Sequence, residues 1–282
     1  MRLILLTSIT MIAFAANSLL NRMAVESGAI DTFSFAVIRV LSGAIMLCLI
    51  VTVQRRGLPV MVPRRLMGAF SLVAYMVGFS LAYATLEAGL GALILFGTVQ
   101  VAMFGWSAWQ GERPSPRHVM GAGIAFGGLM LVLWPREGVS ADIIGALLMV
   151  GAGLGWAAYT LAGKGARDPL SETAANFVVA LPILLVFLVG AGLVVSPIGA
   201  GLAILSGAVT SGLGYALWYH ILPQLKGQAA AVVQLSVPII AILAGALLLD
   251  EAITRDTVLA ATLVLGGIAL SVSSPTPQAD RK

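Results

Sequence analysis

The chain has 282 residues, 59% of them hydrophobic and only 10% charged, with a formal net charge of +4 and a mean hydropathy of +1.01. Soluble domains carry about 25% charged residues, so this composition excludes a soluble globular protein and describes an integral membrane one. A single cysteine, Cys48, excludes an internal disulfide and any cysteine metal cluster, and two histidines leave little for metal or acid–base chemistry.

About 20 apolar residues cross a bilayer core. Charge-free runs predict helices, in chain order, over residues 3–21, 32–54, 66–86, 88–111, 119–135, 143–163, two within 173–225, then 227–249 and 257–274. The run from Thr173 to Leu225 is 53 residues long and must fold back once. Ser196-Pro197-Ile198-Gly199 supplies the turn, because Pro and Gly together break a helix. Ten spans result. Assigned alternately to two sides, the loops place twelve Lys and Arg on one side (among them Arg2, Arg55, Arg56, Arg64, Arg65, Lys164 and Lys226) and only Arg22, Arg136 and Arg255 on the other. Positive charge marks the cytoplasmic side, so both termini are expected there. The location is expected to be a bacterial inner membrane. The same bias explains the net positive charge without nucleic acid. Met1-Arg2, an apolar stretch and Ala13-Phe14-Ala15 resemble a secretory leader with a cleavage site. The apolar run continues to Leu20, however, so span one is read as retained.

Two stretches are written twice. Phe14-Ala-Ala-Asn-Ser-Leu-Leu-Asn-Arg22 returns 142 residues later as Trp156-Ala-Ala-Tyr-Thr-Leu-Ala-Gly-Lys164, and Leu86–Leu131 aligns with Leu225–Leu270 at a shift of 139. That second alignment superposes Glu112 on Glu251 and Gly127-Gly128 on Gly266-Gly267. The expected units are residues 1–137 and 138–274, five spans each, followed by a tail over 275–282. An odd number of spans per unit makes the two halves lie oppositely in the membrane. Such inverted repeats hold a site between them and give two related conformations.

All twelve carboxylates fall in loops or at helix ends, which argues against a mid-membrane acidic relay. Glu87 is left as a gating or structural candidate. No phosphate loop of the Gly-x-x-x-x-Gly-Lys-Ser/Thr type exists, so ATP does not drive the chain directly. No cofactor is expected and no enzyme motif is found. Arg39 is the one cation well inside a span, about 12 Å deep. It reads as a structural arginine that snorkels outward or bonds a neighbouring helix's carbonyls, with an anion contact or gate as the functional alternative. The expected lining of a cavity is Asn17 and its repeat partner Tyr159, Thr98, Gln100, Gln234, Ser236 and Pro238, with the aromatic Tyr75, Trp156, Tyr215 and Trp218. Pro238 removes a backbone donor and loosens its helix. Trp109, Trp134 and Tyr219 read as interfacial belt residues. Aromatics with a few amides and hydroxyls suit a small amphipathic or zwitterionic solute.

Phe-Ala-Val-Ile-Arg in span two, Trp-Gln-Gly-Glu-Arg-Pro after span four and Leu-Leu-Asp-Glu-Ala-Ile-Thr after span nine complete a pattern. With ten spans in two five-helix repeats, the chain resembles the EamA branch of the drug/metabolite transporter superfamily, over nearly its whole length. The resemblance implies an all-α integral membrane fold around a central cavity formed by spans one, three, four, six, eight and nine. It also implies export of amino acids and related metabolites, aromatic amino acids among them, by alternating access in a lipid bilayer. The rival expectations are an exporter of cationic drugs or other metabolites, a membrane-embedded lipid enzyme, and a scaffold without transport. The substrate, the oligomeric state (a monomer is compatible) and any proton coupling are left open by these residues.

Overall fold

The computed structural model describes residues 1–54, 56–58, 65–111, 115–133, 142–163, 166–189, 192–225 and 233–272. Glu112, Trp134 and Lys164 lie outside them. The described chain is helical throughout, with one isolated bridge between Ile30 and Val195. In chain order the helices are α1 Arg2–Glu26, α2 Thr32–Val53, α3 Arg65–Ala82, α4 Ala88–Trp109, α5 Pro116–Leu133, α6 Ile143–Ala162 and α7 Pro169–Leu185, then α8 Pro197–Gln224, α9 Ser236–Leu248 and α10 Arg255–Val272. A helix occupies each predicted segment. Among the described residues, seven (α1 to α4, α6, α7 with its 3-10 extension to Leu188, and α8) are long and apolar enough to cross a membrane. Large apolar side chains such as Leu41, Ile45 and Leu49 on α2, or Leu243 and Leu247 on α9, face outward. In a bilayer that is the favourable arrangement, because helices satisfy their own backbone and lipid accepts the apolar surface.

The ends of these helices are set by short polar residues. Asp31 caps α2 by accepting from Phe33 and Ser34, Asp142 caps α6, Asp168 caps α7, and Ser196 caps α8 ahead of Pro197. The predicted turn at Ser196-Pro197 is therefore a helix start. Asp31 also ties two loops together, since Val194 N donates to its Oδ2 at 3.0 Å and Asp31 N donates to the Val194 carbonyl at 2.9 Å. Burial pushes the Asp31 carboxyl up, but the bonds from Ser34, Val194 and Phe33 outweigh it and hold it below the usual carboxylate range. A depressed pKa stabilises the fold above the unfolded value near 3.9, and that contribution is lost as pH falls through the folded value. Asp31→Ala is expected to cost about 1–2 kcal/mol at pH 7. Thermal melts would check this: the gap between wild type and variant should narrow below about pH 4.

Packing follows matched pairs. The α3 helix lies on α6 as α1 lies on α8, and α4 on α6 as α1 on α9; α2 meets α8 as α7 meets α3. Three further pairs, α2 with α7, α4 with α9 and α5 with α10, map onto themselves when the halves are exchanged. The middle of α8, Leu205–Leu213, is π-helical. This wider turn brings Gly207 against the Arg39 carbonyl and the Ser42 hydroxyl of α2, where a Cβ would collide with both. Only glycine allows α2 and α8 to approach so closely there.

Candidate functional site

Five helices each bring one face to a shared cavity of about 760 Å³. The contributing residues recur at helical spacing: Phe14, Asn17 and Ser18 on α1; Tyr75 and Phe79 on α3; Trp156, Tyr159 and Thr160 on α6; Glu172, Thr173 and Asn176 on α7; Tyr215, Trp218 and Tyr219 on α8. Steps of three and four residues place side chains on one helix face. The α1 and α6 sets fall on partner positions of the repeated motif. The α4 helix adds Phe96 and Met103, and Gln234 enters just before α9. No described lining residue comes from α2, α5 or α10.

Trp156 sits at the centre of an aromatic cluster. Its ring lies 4.9 Å from Tyr75, 5.3 Å from Tyr159 in a stacked arrangement, and 5.5 Å from Tyr215. Phe14 packs edge-on to Tyr215 and Trp218 at 5.8 and 6.0 Å. Offset and edge contacts of this kind hold rings in fixed orientations. A hydroxyl chain runs beside them, with Tyr159 donating to Thr173 at 3.1 Å and Thr173 donating to Tyr219 at 3.2 Å.

The cavity reaches the helix ends at Gly163, Pro169 and Leu222. This is the end of the bundle where Arg56 pairs with Asp168 at 2.7 Å. Arg65, nearly buried, donates there to the Glu172 carbonyl and to Asn176 Oδ1, each at 3.1 Å. At the other end the cavity stops at Asn17 and Ser18, and polar bonds between helices lie beyond it. Asn21 donates to Ser80 at 3.0 Å, and Arg22 donates to the carbonyls of Tyr83 and Ala84 at 3.3 Å. Arg22 also pairs with Glu26 at 2.7 Å and lies 3.7 Å from Glu251 Oε1, which accepts from Ala88 N at 2.7 Å. Burial pushes the Glu251 carboxyl above the usual carboxylate range despite the Ala88 bond, and neighbouring Glu87 adds to the rise. Burial raises Glu87 as well, against the pull of Arg22.

The structure brings Asn17, Tyr75, Trp156, Tyr159, Tyr215, Trp218 and Gln234 to the cavity, but not Thr98, Gln100, Ser236 or Pro238. Thr98 is buried against Gly153 of α6. The Ser236 hydroxyl returns to the Val233 carbonyl at 2.6 Å. Pro238 lies in the first turn of α9, just past the turn at Leu235 that separates it from helical Val233 and Gln234. Arg39 neither snorkels nor bonds carbonyls: it is fully buried and bonds the hydroxyls of Ser211 and Tyr75. Tyr219, read as a belt residue, lines the cavity, and its spacing from Tyr215 and Trp218 was the available signal. Phe14 was available in the same way, as the repeat partner of Trp156. The cavity also holds a carboxylate, Glu172 in the first turn of α7, where none was expected. Relative to the expected set of spans, α7 is added and α9 contributes little.

Residues 1–134 and 143–273 match the EamA-like transporter family. An uncharacterized protein of Pseudomonas aeruginosa is 45% identical over all of this chain and 98% of its own length. An uncharacterized transporter of Archaeoglobus fulgidus is 27% identical over 73% of this chain and 75% of its own. A probable amino-acid metabolite efflux pump of Escherichia coli K12 is 25% identical over 75% and 77%. One solved crystal structure, 18% identical, superposes with a TM-score of 0.66 over 94% of this chain and 98% of its own, which speaks for the fold alone.

Proposed function

Since the chain belongs to the EamA-like transporter family and is a multi-pass, all-helical membrane protein, we propose that it is a secondary carrier exporting small amphipathic metabolites, amino acids foremost. The observation that carries this reading is the aromatic cavity, set between helices of both sequence halves, reaching one end of the bundle and sealed at the other. A solute that leaves a cavity of this kind on the opposite side requires the seal and the opening to change places. The matched packing pairs support two inverted five-helix repeats, 1–137 and 138–274, which exchange roles by rocking, and hence ten spans. The Lys and Arg bias supports an inner-membrane orientation with both termini cytoplasmic, so the cavity would here face the cytoplasm. The Escherichia coli relative's name supports amino-acid metabolites as cargo. Movement down the substrate gradient or by exchange fits a cavity whose deep end holds no described carboxylate.

Counterflow in proteoliposomes preloaded with mixed amino acids tests the proposal. Wild type is expected to show saturable, exchangeable uptake. Trp156→Ala removes the ring shared by three aromatic contacts and is expected to lower uptake at least about tenfold, as loss of a well-packed aromatic anchor costs about 2 kcal/mol or more. Uptake undiminished in the variant would discard Trp156 as a binding residue. Absence of uptake by folded wild type would overturn amino acids as cargo, and uphill accumulation driven by an imposed proton gradient would overturn uncoupled movement.

A further inference from the structure

The sealed end of the cavity has an electrostatic imbalance. Arg39 is a fully buried cation on α2 with no carboxylate in ion-pair range among the described residues. Its Nε donates to Ser211 at 3.2 Å and one terminal nitrogen donates to the Tyr75 hydroxyl at 3.0 Å; the other, Nη1, has no partner. The guanidinium carbon lies 4.9 Å from the Phe79 ring centre and 5.4 Å from that of Tyr75. Ring faces and hydroxyl oxygens soften the burial of a charge without neutralising it, and buried charges are normally paired.

The groups between Arg39 and the cavity are donors. The Tyr75 oxygen accepts from the cation, while its own proton meets no acceptor among the described residues. Asn17 is oriented by Ser206, whose hydroxyl donates to Asn17 Oδ1 at 2.6 Å. That length suits O–H···O and is short for N–H···O, so the oxygen, rather than the amide nitrogen, faces Ser206. The Asn17 amide nitrogen is then a second donor with no acceptor among the described residues, and both side chains line the cavity. An uncompensated cation with two unspent donors in front of it is complementary to an acceptor-only anion. A bond to an already polarised hydroxyl is also strengthened.

We infer that Tyr75 and Asn17 receive the carboxylate of the transported solute, with Arg39 behind Tyr75 as the positioning cation. The solute's apolar part then lies among Trp156, Tyr215 and Phe14. The ammonium of a zwitterion, one carbon from the carboxylate, is directed toward the aromatic faces. This deepens the carrier reading and rests on it: the cargo carries a carboxylate next to an apolar group, and amines without one are poor cargo.

Four probes with one phenyl ring and different polar ends test this on the purified full chain in detergent: L-phenylalanine, 3-phenylpropionate, phenethylamine and L-phenylalaninamide. Binding is read by calorimetry, beside counterflow of the amino-acid mixture. The two carboxylates are expected to bind at least about tenfold tighter than the amine and the amide, the size of one charge-assisted hydrogen bond. Tyr75→Phe is expected to erase most of that preference, carboxylate binding falling more than amine and amide binding. Arg39→Gln should act in the same direction and Arg39→Lys should restore part of the preference, which a purely structural arginine would not do. If Arg39→Gln fails to fold, Tyr75→Phe decides the matter. Equal or tighter binding of amine and amide to wild type, or a preference that survives Tyr75→Phe, overturns the inference. No binding of any probe also overturns it; counterflow that persists then leaves the carrier reading standing, and counterflow that is absent removes both.

Discussion

In a Glu251→Ala variant, the sealed end of the cavity is expected to open to the outer face. Glu251 is the point where three helices meet: it follows α9, accepts from the first amide of α4 and faces Arg22 of α1. Both side chains of the Arg22–Glu251 pair are only 10% exposed, so solvent does not replace the lost contact. Truncation leaves the Ala88 amide without its acceptor, and an orphaned buried donor costs about 1–3 kcal/mol, which corresponds to an opening equilibrium shifted about fivefold or more. Labelling of Ser18→Cys, in a Cys48→Ser background, by an impermeant maleimide applied outside reads the effect directly, since Ser18 lies at the inner edge of the seal. Unchanged labelling would remove Glu251 from the latch.

The same residues give the latch a sign with pH. The carboxyls of Glu251 and Glu87 are both raised in the sealed state, chiefly by burial, while Arg22 opposes the rise; Glu26 is bound to Arg22 on its other side. A sealed state with raised carboxyl pKa values holds protons more tightly than an opened, hydrated one. Acid therefore favours the seal, and opening is favoured as pH climbs from about 4.3, the usual glutamate value, through the raised ones. Labelling rates, corrected for thiolate content, should rise over that window in wild type. Glu251→Gln keeps an oxygen for the Ala88 amide and should flatten part of the slope, with Glu87→Gln removing the rest.

How much of this was legible beforehand depends on what a residue's neighbours must be. Helix positions followed from the length of apolar runs, because lipid permits only helices and closed barrels, and barrel strands are about half as long as these runs. Cap residues such as Asp31 and Ser196 sit where those runs stop. The duplicated motif placed Asn17 and Tyr159, and by the same logic Phe14 and Trp156, on faces that do line the cavity. The facing of other residues was hidden, since a helix between lipid and protein is apolar all round and its periodicity does not say which side is inward. Thr98 and Ser236 therefore looked like lining residues, but Thr98 packs against Gly153 of α6 and the Ser236 hydroxyl returns to Val233. Tyr219 looked interfacial although its spacing from Tyr215 aligned it with the cavity. Arg39 could be placed in depth but not in company, because Ser211 is 172 residues away in sequence and reaches it through a π-helical turn that no pattern announced.

Adjacent glycines on α10 provide the second large contrast. A Cβ on Gly267 would lie 2.5 Å from the Ala125 amide nitrogen and 2.6 Å from the Gly121 carbonyl, both backbone atoms of α5 that cannot turn aside. One on Gly121 would meet the Gly267 carbonyl at 2.5 Å, so the two helices touch along their backbones. In a membrane, close approach of this kind is what holds helices together, since lipid offers no hydrophobic drive to associate. Gly266, one residue earlier, has open space where its Cβ would be. Gly267→Ala is expected to destabilise by about 1–3 kcal/mol through overpacking, and Gly267→Leu should yield no monodisperse folded protein, whereas Gly266→Leu should behave as wild type in thermal melts. Because α5 and α10 supply none of the described lining residues, Gly267→Ala should leave substrate affinity unchanged at temperatures where the protein remains folded. A loss of affinity without loss of stability would mean that this helix pair acts on the cavity itself, and that the rocking halves pivot on it.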